Sequence, residues 1–325
     1  MIRDEKIWQK AINENTASAL NEALIAGFGP RLIQLSEVMH ARQFTLITDE
    51  IARRVDAKLC LIAGPSSSGK TTTSKRLALH LASIGITPIV IAMDNYFKNR
   101  KDTPRDEKGD YDFECLEALD VPFLNHQLRQ LFAGEEVEIP DYDFVLGERV
   151  FRGKKVKMSP GSIIVMEGIH GLNPGLTPEI APENKFSIYA SVLRSLTIRK
   201  PNDSVYDTRL LRRMVRDNQF RGNGPADTIL RWPSVRAGEE KNIVPYMDLA
   251  DMKFDSSLIY ALPLFKSYAE NLLRSVPRRS PAYDEAQRLL DFILTKVAAL
   301  TPKEAGFIPP TSIMREFIGG SSFRY

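Results

Sequence analysis

Residues 58–83 read KLCLIA, GPSSSGKT and TTSKRLALHLAS, and this stretch constrains the chain more than any other. The middle piece, Gly64-Pro65-Ser66-Ser67-Ser68-Gly69-Lys70-Thr71, fits the phosphate-binding pattern G-x-x-x-x-G-K-[ST] without a mismatch. The apolar run 59–63 before it predicts a strand buried on both faces. After it, Leu77, Leu79, Leu81 and Ile84 stand in a stretch free of proline and glycine, which predicts a helix. Each position has a physical reason. Gly64 and Gly69 permit a backbone that turns successive N–H groups inward on an anion, the following helix adds its positive N-terminal end, and Thr72 is counted with residues 64–71 as a candidate ATP-binding residue. Lys70 reaches the outer phosphates of a nucleotide, and the Thr71 hydroxyl can ligate Mg²⁺.

The rest of the chain repeats this alternation. Strand patterns follow at 86–94, 161–168, 186–192 and 252–259, and helical patterns at 116–132, 207–220, 228–238 and beyond 262. Segments 139–144 and 148–158 predict a small hairpin, and the polar stretch 98–114 predicts a mobile loop over the site. The expected fold class is α/β: a doubly wound parallel sheet of about five strands with flanking helices. Residues 1–54 form an expected helical N-terminal extension, 55–262 the main domain, and 263–325 a helical C-terminal extension.

In such sheets ligands bind beyond the carboxyl ends of the strands. The phosphate loop, Asp94 and Glu167 each fall at such an end. Asp94 is the candidate general base for a substrate hydroxyl and a candidate for the metal shell, and Thr71 and Glu167 are the other candidate metal ligands. Arg209, Arg212, Arg213 and Arg216 follow i, i+3, i+4, i+7 spacing and share one helical face. That face reads either as a solvated basic surface or as a lid helix closing guanidinium groups, Arg212 and Arg216 among them, on ATP phosphates.

A net charge of +3 gives no support to a nucleic-acid partner or a membrane surface. Cys60 and Cys115 lack metal-ligand spacing and read as reduced thiols, and the sequence has no signal peptide or long apolar run, so a cytoplasmic location is expected. The partner expected is a small molecule, and a homo-oligomer is one expected assembly. No clear role falls to His40, His80, His126 or His170.

GPSSSGKTT, MDNYF, YDFECLEALD, IPDYDF, MEGI and DTRLLRRMVRD, in this order, resemble the uridine kinase and phosphoribulokinase family of P-loop kinases. RWPSVRAGEEKNIVPYMDLAD and the closing REFIGGSSF resemble a bacterial uridine kinase-like subgroup. The resemblance covers about residues 58–262. It implies a P-loop kinase fold with an arginine lid helix and ATP-dependent, Mg²⁺-assisted phosphorylation of a nucleoside 5′-hydroxyl. Asp94 and Lys70 would be catalytic, and Glu114, Tyr142, Arg149 and Arg209 would hold the substrate. In two places the chain departs from the family pattern. The motif phenylalanine-aspartate-histidine-proline is Phe113-Glu114-Cys115-Leu116 here, and Gly147 replaces a histidine that contacts the pyrimidine. Residues 194–206 are additional sequence before the arginine helix. Longer members of the subgroup carry domains resembling part of threonyl-tRNA synthetase, so the chain is expected to be a short member or a piece of a longer one. Two alternatives stay open: another acceptor (a sugar phosphate, pantothenate or glycerate, with Arg152, Lys154 and Lys155 at hand for a phosphate), or a non-catalytic ATP-binding regulator.

Overall fold

The run 59–63 forms strand β1 (Leu59–Ala63), buried along its whole length, and the main sheet is built around it. The computed structural model describes residues 2–106, 109–197 and 204–325. On one side of β1 lies β7 (Ser162–Glu167) and then β2 (Thr87–Ala92). On the other lie β8 (Lys185–Ser191) and β9 (Met252–Asp255). All four pairings are parallel. Successive β1 side chains point to opposite faces. Leu59 and Leu61 enter one core with Ile164 and Met166, while Cys60 and Ile62 enter the other with Val165 and Ile188. Burial on both faces explains why the strand reads as a continuous apolar run.

One face carries α3 (Gly29–Arg53), α4 (Lys70–Ser83), α6 (Val205–Phe220), α8 (Ala261–Arg274) and α9 (Tyr283–Lys296). Phe44, Leu77, Leu210, Leu264 and Leu289 join a single core there, which also takes Ala11 of α1 (Ile2–Glu14) and Leu20 of α2 (Ala17–Ile25). The other face is covered by α5 (Val121–Phe132) through Leu124, Leu128 and Leu131. Two antiparallel ribbons extend from that side. One pairs β3 (Glu136–Glu138) with β6 (Lys155–Lys157), the other β4 (Asp141–Asp143) with β5 (Glu148–Val150). Helix α7 (Pro225–Asn242) follows α6, and the short α10 (Pro302–Ala305) and α11 (Arg315–Ile318) come after α9.

Three elements differ from the sequence expectation. Strand β2 is an edge strand, only partly buried, and it stops at Ala92, so that Asp94 lies in a single 3-10 turn, Met93–Tyr96. The helix expected from 116 begins at Val121, because Asp120 Oδ1 accepts from the Phe123 N–H at 3.1 Å and caps it. The strand expected to reach 259 ends at Asp255. Of the additional sequence 194–206, residues 198–203 lie outside the described residues, as do 107–108 of the loop 98–114. Among the described residues no helix is long and apolar enough to cross a membrane.

Candidate active site

The loop between β1 and α4 is held by close backbone contacts. A Cβ on Gly64 would stand 1.9 Å from the carbonyl oxygen of Ala190 in β8, so only glycine lets the loop leave the sheet here. Gly69, at φ +87°, turns the chain into α4, and Ser67 adopts a left-handed φ of +59° without being glycine. Such a residue is uncommon and marks a backbone held by its surroundings. The Ser67 and Ser68 hydroxyls are buried with no hydrogen-bond partner. Lys70 folds back over the loop and donates from Nζ to the Pro65 carbonyl at 3.2 Å. Left-handed turns, an unsatisfied buried hydroxyl pair and a helix N-terminus together fit an anion.

Sheet register brings the two carboxylates to the same end. Glu167 pairs with Ile62 on one side and Ala92 on the other, so Asp94 emerges two residues beyond Glu167's neighbour. Thr71 Oγ1 donates to Glu167 Oε1 at 2.8 Å. Burial pushes the Glu167 carboxyl up to about 7, with the charges of Asp94 and Glu316 adding to the rise and Lys70 opposing it. Burial likewise lowers Lys70, against the pull of Glu167, Asp94 and Glu316. Asp94 is exposed to solvent. The protein around it is still dense enough for desolvation to raise its pKa, opposed by Lys70 and Arg221. No group of three or more His, Cys, Asp or Glu side chains able to hold a metal occurs among the described residues. A cation at Thr71, Glu167 and Asp94 would therefore complete its shell with phosphate and water oxygens, which suits Mg²⁺.

The arginine face of α6 turns inward: Arg209 and Arg212 are buried, and Arg213 and Arg216 are half-buried. Arg209 makes a two-pronged bond to Glu239 of α7, at 2.8 and 2.7 Å, and its Nε donates to the Ser66 carbonyl at 3.1 Å. Arg213 donates from Nη1 to Ser66 Oγ at 2.7 Å. The loop is thus gripped by Arg209 and Arg213. Arg212, expected at the ATP phosphates, is fully buried, with Nη2 on the Ser256 carbonyl at 3.0 Å and its guanidinium 5.5 Å from the Phe317 ring centroid. Burial lowers its pKa to about 10. Arg216 pairs with Asp217 at 2.7 Å, where Arg213 and Arg221 also converge at 3.2 and 3.7 Å. Neither Arg212 nor Arg216 shows a hydrogen bond to the loop among the described residues.

The residues expected at the acceptor divide into two places. Glu114 lies beside the loop: burial raises its pKa, and Arg213 and Lys70 are the cations that oppose the rise. Tyr142 and Arg149 face each other across the β4–β5 pair. Tyr142 is buried against Phe97 and Phe144, ring centroids 5.6 and 5.1 Å away, and its hydroxyl has no partner. Arg149 donates to Asp120 Oδ2 at 2.9 Å and lies over the Phe123 ring at 4.7 Å. Beside them Gly147 sits at φ +74°, where a Cβ would come within 2.7 Å of the Arg100 guanidinium carbon.

Residues 313–325 also reach the site, which no local pattern announces. Ile313 packs on Gly69, Glu316 accepts from the Thr72 N–H and hydroxyl at 3.2 and 2.7 Å, and the Tyr325 hydroxyl is 2.8 Å from Thr72 Oγ1.

With this geometry in view, the chain can be set beside known proteins. A sequence model of the phosphoribulokinase / uridine kinase family matches residues 59–259. A uridine kinase of Deinococcus deserti is 29% identical over 172 residues, 53% of this chain and 73% of the relative. A uridine kinase of Staphylococcus aureus is 31% identical over 193 residues, 59% of this chain and 84% of the relative. The solved structure of a possible uridine kinase from Bacillus stearothermophilus aligns at 24% identity and a TM-score of 0.38, covering 63% of this chain and 100% of the other, too loose a likeness to argue from. The family match runs from β1 to just beyond β9 and takes in the phosphate loop, both strand-end carboxylates and the arginine helix. The chain belongs to the phosphoribulokinase / uridine kinase family and is a phosphotransferase with a hydroxyl acceptor.

Proposed function

We propose that the chain transfers the γ-phosphoryl group of ATP to the 5′-hydroxyl of a nucleoside, uridine or cytidine. The observation that carries the chemistry is the junction of Thr71 and Glu167 at 2.8 Å at the mouth of the phosphate loop, with Asp94 emerging beside it from the next strand. The nucleoside reading draws support from the similarity to the two uridine kinases.

In this reading the backbone of residues 64–69 and the first turn of α4 hold the phosphate chain, and Lys70 moves from the Pro65 carbonyl to the outer phosphates. Thr71, Glu167 and Asp94 would hold Mg²⁺, which supplies charge neutralisation across the phosphate oxygens. Asp94 accepts the proton of the acceptor hydroxyl as its oxygen bonds to the γ-phosphorus, and the bond from that phosphorus to the β-phosphate oxygen breaks to release ADP. Glu114, Tyr142, Arg149 and Arg209 are the proposed acceptor-side residues, Arg209 acting through the loop it grips. The kinase unit would be residues 55–262, with 1–54 and 263–325 as helical extensions packed on it.

A phosphorylated acceptor calls for free cations near Tyr142. Arg152 and Lys155 are instead engaged, with Asp141 and Glu136, both at 3.1 Å. Both pairs are exposed and therefore weak, and Lys154 shows no ion pair among the described residues, so a phosphorylated acceptor stays the second reading that the product test separates. The test is to incubate the protein with ATP, Mg²⁺ and each of uridine, cytidine, pantothenate, glycerate and a sugar phosphate, and to identify the product by mass. A nucleoside 5′-monophosphate supports the reading, and a phosphorylated product from another acceptor overturns it.

A further inference from the structure

Thr72 is the third residue of α4, so its N–H has no acceptor within the helix and points toward the loop, at the positive end of the helix dipole. A nucleotide phosphate in the loop draws on such first-turn amides. In this structure the amide is already taken. Glu316 Oε2 accepts from it at 3.2 Å and from the Thr72 hydroxyl at 2.7 Å, and that hydroxyl also meets Tyr325 at 2.8 Å. Lys75, one turn along the same helix, donates to the Arg324 carbonyl and lies 4.5 Å from the Tyr325 ring centroid. A carboxylate, a phenol and a carbonyl thus cover donors and a cation next to the phosphate loop.

The segment has a fixed base and a turning arm. Phe317 and Ile318 are buried in the core, and Ser312 donates to the buried Glu37 at 2.6 Å. Immediately beyond, Gly319 and Gly320 take φ values of +84° and +73°, a conformation that L side chains rarely adopt, and residues 321–325 then return to α4. A second partner for Glu316 is at hand. Arg212 is wholly buried, yet its Nε and Nη1 have no hydrogen-bond partner. Glu316 is the carboxylate that most offsets the effect of burial on it. A buried guanidinium left half-satisfied is costly, so a carboxylate turning from Thr72 toward Arg212 exchanges one good contact for another.

We infer that residues 313–325 form an intrasteric gate on the nucleotide site, in which Glu316 occupies the Thr72 donors in place of a nucleotide phosphate, and nucleotide binding drives Glu316 off Thr72 and swings the 321–325 arm away from α4. A phosphate and a carboxylate cannot share one N–H, and their like charges repel at that range. Occupancy of the loop and the position of the arm are therefore coupled, and by linkage each disfavours the other equally. The inference rests on the reading that a nucleotide binds this loop.

The test uses the full chain, with ADP and adenosine as probes. Dissociation constants are measured by calorimetry for the native protein, Glu316→Gln and Glu316→Ala, with thermal melts as a check of folding. The expected result is that both variants bind ADP about 5- to 100-fold more tightly, with adenosine affinity unchanged because it has no phosphate to compete. In the native protein, ADP should speed chymotryptic cleavage after Phe323 as the arm leaves α4. Unchanged or weaker ADP affinity in both folded variants overturns the gate, as does cleavage indifferent to ADP. Failure of ADP to bind any of the three proteins overturns the nucleotide reading itself, and the gate with it.

Discussion

The hydroxyl of Thr71 donates to Glu167 Oε1 at 2.8 Å and ties the first turn of α4 to the end of β7, across 96 positions of sequence. This bond orients the carboxylate that would hold the metal. Groups that orient a metal ligand are worth about 10–100-fold in metal affinity. Thr71→Val keeps the shape and removes the hydroxyl. The Mg²⁺ concentration for half-maximal turnover should rise by about that factor while the melting temperature stays near native. An unchanged Mg²⁺ requirement would remove Thr71 from the metal shell.

The raised Glu167 carboxyl gives a signed pH dependence. An ordinary glutamate loses its proton near 4.5, whereas burial keeps this one protonated to about 7 in the folded chain. Between those values the folded state holds more protons than the unfolded, so this group's contribution to stability falls as pH rises through the window. In thermal melts without metal or nucleotide, Glu167→Gln should flatten the decline between pH 5 and pH 7. A native-minus-variant difference that grows with pH would contradict the assignment.

Arg209 and Glu239 are both buried and joined by two bonds of 2.8 and 2.7 Å. Removing one partner strands the other charge, at a cost of about 3–5 kcal/mol. Glu239→Ala should therefore lower the unfolding free energy in urea by that amount and loosen the Ser66 contact. Replacing both residues by methionine should recover most of the loss. A loss under ~1 kcal/mol would mean that the pair is wet and weak.

Gly64→Ala places a Cβ against the Ala190 carbonyl at 1.9 Å, and neither backbone can yield without opening the β1–β8 pairing. The expected loss is about 1–3 kcal/mol, accompanied by loss of ATP binding. A variant of native stability that binds ATP normally would contradict the close approach.

The segment from β1 through α4 was legible because its signals are local: an apolar run, fixed glycine spacing and a helical pattern, each within a few residues. The five parallel strands and the convergence of Asp94 and Glu167 followed from the same alternation. Strand order as a whole is not written locally, but Pro88 in TPIVIA has no N–H to give to a ladder, and that local signal, passed over in the apolar pattern, fits the edge place of β2. The early start given to α5 came from apolar spacing that runs straight through Asp120, although Asp120-Val121-Pro122 carries the cap signal. Four arginines at helical spacing show one shared face, and the spacing alone leaves a solvated surface and a lid helix both open. Their burial depends on Glu239, 30 positions away, and on the Ser256 carbonyl, 44 away. Glu316 lies 244 positions from Thr72, beyond any pattern a window can hold.

The most direct measurement is ADP release from ATP and Mg²⁺ with uridine or cytidine present, native protein beside Asp94→Asn. The expected result is nucleoside-stimulated release that falls about 10²–10⁴-fold in the variant, with ATP affinity held within a few fold. Stimulated release that survives Asp94→Asn would contradict Asp94 as the base. No stimulation by either nucleoside, with ATP still bound, would contradict the nucleoside kinase itself.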